Sequence, residues 1–257
     1  MKKLFFLPVL LAFFSLPCLA VMHIGISGGY SYASFNELNS YWNTIKQDAE
    51  AFSNTITANW KDYGSGVYAN FDLNFNLDKN FLVGLRSGVQ YIFSNTYTGV
   101  KMIVETPTPV WINTETTVDN TMIPVMAGFS YVVPVSESKV NLRLDAYAGW
   151  ALGYYFERTS YEGSPGVLAL YSGGGFMADA GGALEFAIAP FILMSLNASY
   201  RYARTSDYKT VESVSVNIPG YGTYTVPTND PFNDASGKPV AIDFSGFNIG
   251  AGFNIRI

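Results

Sequence analysis

Cysteine, histidine and charge are all scarce in this sequence. It has one cysteine, Cys18, and one histidine, His23, in 257 residues. Cys18 falls within an N-terminal stretch read below as a removable leader, so the remainder has no disulfide or thiolate chemistry. With no histidine cluster either, it lacks the usual zinc ligand sets. Charged residues are only 14% of the chain, where soluble domains carry about a quarter. Beyond the leader, no run approaches the roughly 18 consecutive apolar residues of a membrane helix. Aromatic residues, by contrast, reach 16%. A chain this apolar and aromatic, without a spanning helix, has one well-known way into a bilayer: a closed sheet that pairs every backbone polar group within itself.

The first twenty residues read as a secretory signal peptide. Lys2 and Lys3 precede the apolar run LFFLPVLLAFF, and Cys18-Leu19-Ala20 offers small residues at the two positions a signal peptidase reads. Cleavage is expected after Ala20, which leaves residues 21–257 as one domain. A lipid-anchored Cys18 is the minor alternative, because Leu16-Pro17 fits the corresponding motif poorly. Loss of Lys2 and Lys3 from 15 basic residues leaves 13 against 20 acidic ones, a net charge of −7. That balance argues against a nucleic-acid partner.

Strict alternation of apolar and polar residues then marks eight strands, at about 22–32, 65–77, 81–97, 120–133, 140–157, 175–188, 191–205 and 241–257. In the second, Val67, Ala69, Phe71, Leu73, Phe75 and Leu77 oppose Tyr68, Asn70, Asp72, Asn74 and Asn76. Short turns at Asp78-Lys79-Asn80, Ser136 to Lys139 and Ala189-Pro190-Phe191 alternate with long links at 33–64, 98–119, 158–174 and 206–240. This alternation is the pattern of an outer-membrane barrel with short periplasmic turns and long extracellular loops. The fold expected is all-β: an eight-stranded antiparallel transmembrane up-and-down β-barrel with one short helix in the first loop.

A soluble barrel would also alternate, with its polar face toward water. Lysine placement separates the two. All nine lysines fall in the leader, the links or the turns of this reading, whereas a water-facing sheet carries lysines along its strands. Tyr30, Tyr32, Tyr91, Phe93, Tyr154, Phe156, Tyr200 and Tyr202 gather toward one set of strand ends. Phe75, Phe81, Tyr131, Phe191 and Phe253 gather toward the other, as two aromatic girdles would. A β-sandwich with core aromatics is the alternative, and it leaves both the strand parity and the loop alternation unexplained.

The chain ends FNIGAGFNIRI, with Gly252, Phe253, Ile255 and Ile257 spaced like the insertion signal read by the barrel-assembly machinery. Here the sequence resembles the small outer-membrane barrels of the OmpA, OmpX and OmpW type, almost from end to end after the leader. Members usually end in an aromatic residue, and this chain ends in Ile257. The resemblance implies localisation in a bacterial outer membrane. It also implies partners: the lipid bilayer and lipopolysaccharide, the assembly machinery and periplasmic chaperones, and a small-molecule or surface ligand at the loops.

Eight strands leave a lumen that side chains fill. With Lys79 at the centre of its turn, Asp72 faces Arg86; with Pro190 central, Asp179 faces Arg201. Arg143 and Glu185 lie at similar heights, and Asp145 shares their inward parity. Unpaired charges are costly in such a place, so these acids and arginines are expected to form a paired network, either a sealed core or a gate. Met122, Met126, Leu82 and Ile92 share the inward parity.

In the first link, Ser34 and Glu37 have capping-box spacing, and Leu38, Tyr41, Trp42, Ile45, Ala49 and Phe52 recur at helical intervals. They predict a helix that caps the barrel mouth. YSGGGF and NIPGYGTYTVP read as exposed tips. No cofactor is expected, because the dinucleotide-like spacing of Gly173, Gly175 and Ala178 has no βαβ unit around it. No enzymatic activity is expected either: His23 stands alone at the periplasmic strand end. Two functions stay open. One is envelope structure or surface interaction through the extracellular loops. The other is a narrow gated channel, or an OmpW-like transporter of small hydrophobic molecules.

Overall fold

A computed structural model describes residues 21–52, 57–104, 110–136, 139–161, 167–218, 222–234 and 236–257. The 1–20 leader lies outside them. In chain order the elements are β1 (Met22–Ala33), α1 (Asn36–Phe52), β2 (Ser65–Asn76), β3 (Phe81–Val104), β4 (Val110–Ser136) and β5 (Val140–Tyr161). They continue with β6 (Val167–Ala189), β7 (Ile192–Thr210), β8 (Val214–Ile218), β9 (Gly222–Val226), β10 (Ile242–Asp243) and β11 (Gly246–Arg256). Strands β1 to β7 pair in sequence, and β11 closes the ring between β7 and β1. Closure is tight at the chain end, where Met22 N donates to the Ile257 carbonyl at 3.0 Å and Ile257 N to the Met22 carbonyl at 2.8 Å.

Alternation decides which face is which. Ile26, Phe71, Leu85, Val125, Trp150 and Ile249 point outward and are 42–64% exposed. Their neighbours Asp72, Arg86, Gln90, Asn248 and Asn254 point inward and are buried. A soluble protein inverts this arrangement, so the outward belt is one built for hydrocarbon. Among the described residues, no helix is long and apolar enough to cross a membrane, which leaves the strands to do it.

Crossing takes about 9–11 tilted residues, yet β3 has 24 residues and β4 has 27. The excess forms a wall above the bilayer, and two of the links predicted from sequence prove to be largely strand. Val100 pairs with Asn113, and Thr159 with Val167. Above the membrane the outward face is wet and the buried inward face itself carries threonines, Thr114, Thr116 and Thr159, so the contrast of apolar and polar faces that marks a strand disappears. Lys101 accordingly falls within the extension of β3, and Lys209 within the last residues of β7. YSGGGF is likewise no loop tip but part of β6, where Trp150 covers Gly174 and Tyr208 covers Gly173. NIPGYGTYTVP spans the β8–β9 hairpin, with Gly222 at φ 90°.

The predicted capping box does not form. The Ser34 hydroxyl donates to Asp243 at 2.9 Å, and Glu37 pairs with Arg204. The first helical bond instead runs from Asn39 N to the Phe35 carbonyl at 2.8 Å. Phe35 takes a left-handed φ of 46°, an uncommon conformation held here by its ring, which stacks on Tyr63 and meets Phe244 edge-on.

Candidate functional site: a lumen filled in three layers

The lowest layer is charged. Arg86 sits at its centre. Its Nε donates to Asp72 at 2.6 Å, Nη1 to Asp179 at 3.0 Å and Nη2 to Asp145 at 3.2 Å. The guanidinium also lies 4.1 Å over the Tyr147 ring, a cation–π contact. Arg143 extends the layer, donating to Asp145 at 2.9 Å and to Glu185 at 2.7 Å. Asn254 Nδ2 donates to Glu185 at 2.8 Å, and the Ser130 hydroxyl to Asp145 at 2.6 Å. Six strands thus meet through side chains.

Arg201 departs from the sequence reading. It stands opposite Asp179 in the β6–β7 register, but the expected ion pair gives way to a second layer, in which its partners are uncharged. Its Nε and Nη2 donate to the Phe244 carbonyl at 2.8 and 2.6 Å, and Nη1 to Asn248 Oδ1 at 3.0 Å. Ser31 Oγ donates to the same Asn248 oxygen at 2.7 Å and accepts from Gln90 Nε2 at 2.7 Å. Between β10 and β11 the chain dips inward at Phe244, and that carbonyl takes the cation.

The top layer is aromatic. Trp42 of α1, fully buried, stacks on Trp60 at 5.0 Å and packs 5.4 Å from Tyr97. Phe232 lies 4.8 Å from Tyr155 and 5.2 Å from Tyr41. Met122, Met126 and Ile92 line the wall beneath, all buried. Burial pushes the Tyr41 and Tyr63 hydroxyls well above their usual range, so these two rings stay uncharged. Helix α1 therefore enters the mouth as a stopper.

Of the closing-strand residues, Gly252 faces Ser27, Phe253 faces Ile26 and Ile255 faces Ile24. Phe253, Ile255 and Ile257 are exposed on the outer face. Sequence reasoning missed Phe232 and Phe244 as plug residues, although the alternation of Val240, Ile242 and Phe244 hinted at a strand running inward. It also left out Asn254 and Tyr147, whose inward parity was visible. Among the described residues, no group of His, Cys, Asp and Glu is placed to hold a metal ion.

No family model and no curated protein matches the chain. Solved structures similar to it include the outer membrane protein OprG from Pseudomonas aeruginosa, at 12% identity over 93% of this chain and 97% of that one, with a TM-score of 0.40. A major outer membrane protein from Thermus thermophilus aligns at 10% identity over 92% and 99%, with a TM-score of 0.46. The outer membrane protease OmpT from Escherichia coli aligns at 9% over 93% and 96%, with a TM-score of 0.43. With its own ring of paired strands, apolar outer belt and polar interior, the chain is an eight-stranded outer-membrane β-barrel.

Proposed function

We infer that this barrel is a non-catalytic envelope protein, serving as a rigid pillar and as a surface for interaction through its extracellular part. One observation carries the reading: the described side chains fill the lumen in three stacked layers, the Arg86 and Arg143 ion pairs below, the Arg201–Asn248 bond above them and the Trp42–Trp60 stack at the mouth. A filled lumen offers solutes no aqueous path, while the long strands hold α1 and the β8–β9 hairpin clear of the bilayer. Lipopolysaccharide is the neighbour that chemistry supplies at the outer girdle. The exposed apolar face of Phe253, Ile255 and Ile257 suits capture by the assembly machinery after delivery by periplasmic chaperones. His23, paired with Arg256 at the short-turn end, is badly placed for chemistry on the outer leaflet.

Met122 and Met126 under the plug favour the second reading, a narrow route for small hydrophobic molecules. Liposome swelling separates the two. Vesicles carrying the protein should swell in pentose and amino-acid solutions no faster than bare vesicles; fast swelling would support the transporter.

A further inference from the structure

Beside α1, the rim of the mouth contains a cleft of about 460 Å³, lined by ten residues of the helix, the end of β1 and the segment leading into β2. Asn36, Ser40 and Asn43 line it from one face of the helix, at the spacing that brings side chains onto a common side. Asp62, Tyr63 and Ser65, from the segment leading into β2, and Tyr32 of β1 also line it. The walls are fixed in place. Asn39 Nδ2 donates to the Tyr63 carbonyl at 3.1 Å while Tyr63 N donates back to Asn39 Oδ1 at 3.4 Å. Asn43 Nδ2 donates to Asp62 Oδ1 at 2.9 Å, and Tyr30 OH and Ser65 Oγ share a bond of 2.8 Å. The Tyr63 ring is stacked on Phe35 from behind.

The geometry points to this cleft as a binding site for an uncharged saccharide, an inference that rests on the surface-interaction reading. Asparagine amides and serine hydroxyls both donate and accept, and Asp62 accepts only. That mixture matches sugar hydroxyls, which need both kinds of partner at close spacing. Tyr32, about half exposed, offers an aromatic face to the apolar side of a pyranose. No lysine or arginine lines the cleft, so it lacks the cations by which phosphate and sulfate groups are held, and Asp62 repels them. The volume lies within the range of small-ligand sites. Tyr32 belongs to the outer aromatic girdle, so the cleft opens at the height where the outer leaflet's own sugars lie. The saccharide therefore comes either from that leaflet's glycolipid or from a soluble or foreign glycan.

The test uses protein purified from outer membranes, probed with a panel of neutral hexose and N-acetylhexosamine oligosaccharides and with a polysulfated oligosaccharide as control. The folded protein should bind a neutral member and not the sulfated one. Ser40→Trp, at an exposed position, fills the cleft and should weaken binding about tenfold or more. Asp48→Trp, exposed on the same helix but off the face that lines the cleft, should leave it unchanged, and both variants should keep the gel migration of the folded barrel. No neutral binding by folded protein, or equal binding by Ser40→Trp, overturns the inference. Nanodiscs then identify the source. If lipopolysaccharide bearing its oligosaccharide abolishes binding of the free sugar and the truncated lipid does not, the ligand is the leaflet's own; undiminished binding assigns the site to an external glycan. A sealed lumen without sugar binding would refute this site alone, whereas solute flux would refute the reading beneath it.

Discussion

Asp179 stands directly opposite Arg201 across the β6–β7 ladder, yet its carboxylate binds Arg86, 93 residues away, at 3.0 Å. Cross-strand neighbours on one wall thus part company: the acid joins the ion-paired layer below, and the arginine joins uncharged partners in the layer above. The two layers share β3 and β11 and draw otherwise on different strands, and each has its own cost of disruption.

Arg86→Leu should be the most damaging single change in the lower layer. It leaves Asp72, Asp145 and Asp179 buried without their shared cation, and breaking such a pair costs about 3–5 kcal/mol. Urea unfolding in phospholipid vesicles measures this. A loss below about 1 kcal/mol would mean that water reaches these carboxylates.

Leu85→Arg tests the outer face. Leu85 lies between the two girdles on β3 and is exposed. An arginine near the bilayer midplane costs about 2–4 kcal/mol, against about 0–1 near the interfaces. Folding in vesicles should therefore suffer more than for Phe93→Arg on the same strand.

Gly153→Ala should loosen the upper wall. A Cβ there would overlap the Tyr208 hydroxyl, which bonds Thr205 Oγ1 at 2.6 Å, and that threonine in turn donates to the Ile242 carbonyl at 3.1 Å. Overpacking of this kind costs about 1–3 kcal/mol. The change should lower the temperature at which the folded form disappears from a gel, and Gly153→Ala with Tyr208→Phe should recover part of the loss.

The loop before β10 should respond to acid. Asp234 Oδ1 accepts from Ser236 N and Oγ at 2.9 and 2.6 Å and from Lys238 N at 3.0 Å. The Ser236 hydroxyl, with the neighbouring amides, holds this carboxyl below its usual 3.8. A depressed folded value makes these bonds fully effective above pH 3.8, with their contribution lost as the pH falls through the lower folded value. The amide shifts of Ser236 and Lys238 in an NMR titration should therefore move below pH 3.8; movement at or above about pH 5 would contradict the assignment.

Register was legible in the sequence wherever a short turn fixed it. Centring the turn on Lys79 placed Asp72 against Arg86, as the β2–β3 ladder does. Partner choice was not, because it depends on which side chains cross the lumen after closure: Arg86 reaches β5 and β6, and Arg201 reaches the Phe244 backbone. The helix was visible from Leu38, Trp42 and Ala49, all buried, but its start was misjudged, since Ser34 is drawn to Asp243. The extensions of β3 and β4 escaped notice because the buried face of β4 is itself polar there, with Thr114, Thr116 and Asn120, and so does not contrast with the outward one.

Single-channel conductance of the protein in a planar bilayer, beside its Trp42→Ala variant, tests the sealed lumen most directly. The aromatic plug loses its central ring in that variant, at a cost of about 3–5 kcal/mol, while the Arg86 layer below stays intact. Silence is expected from both, with gel migration showing each one folded. Reproducible openings from the folded wild-type protein would contradict a sealed lumen.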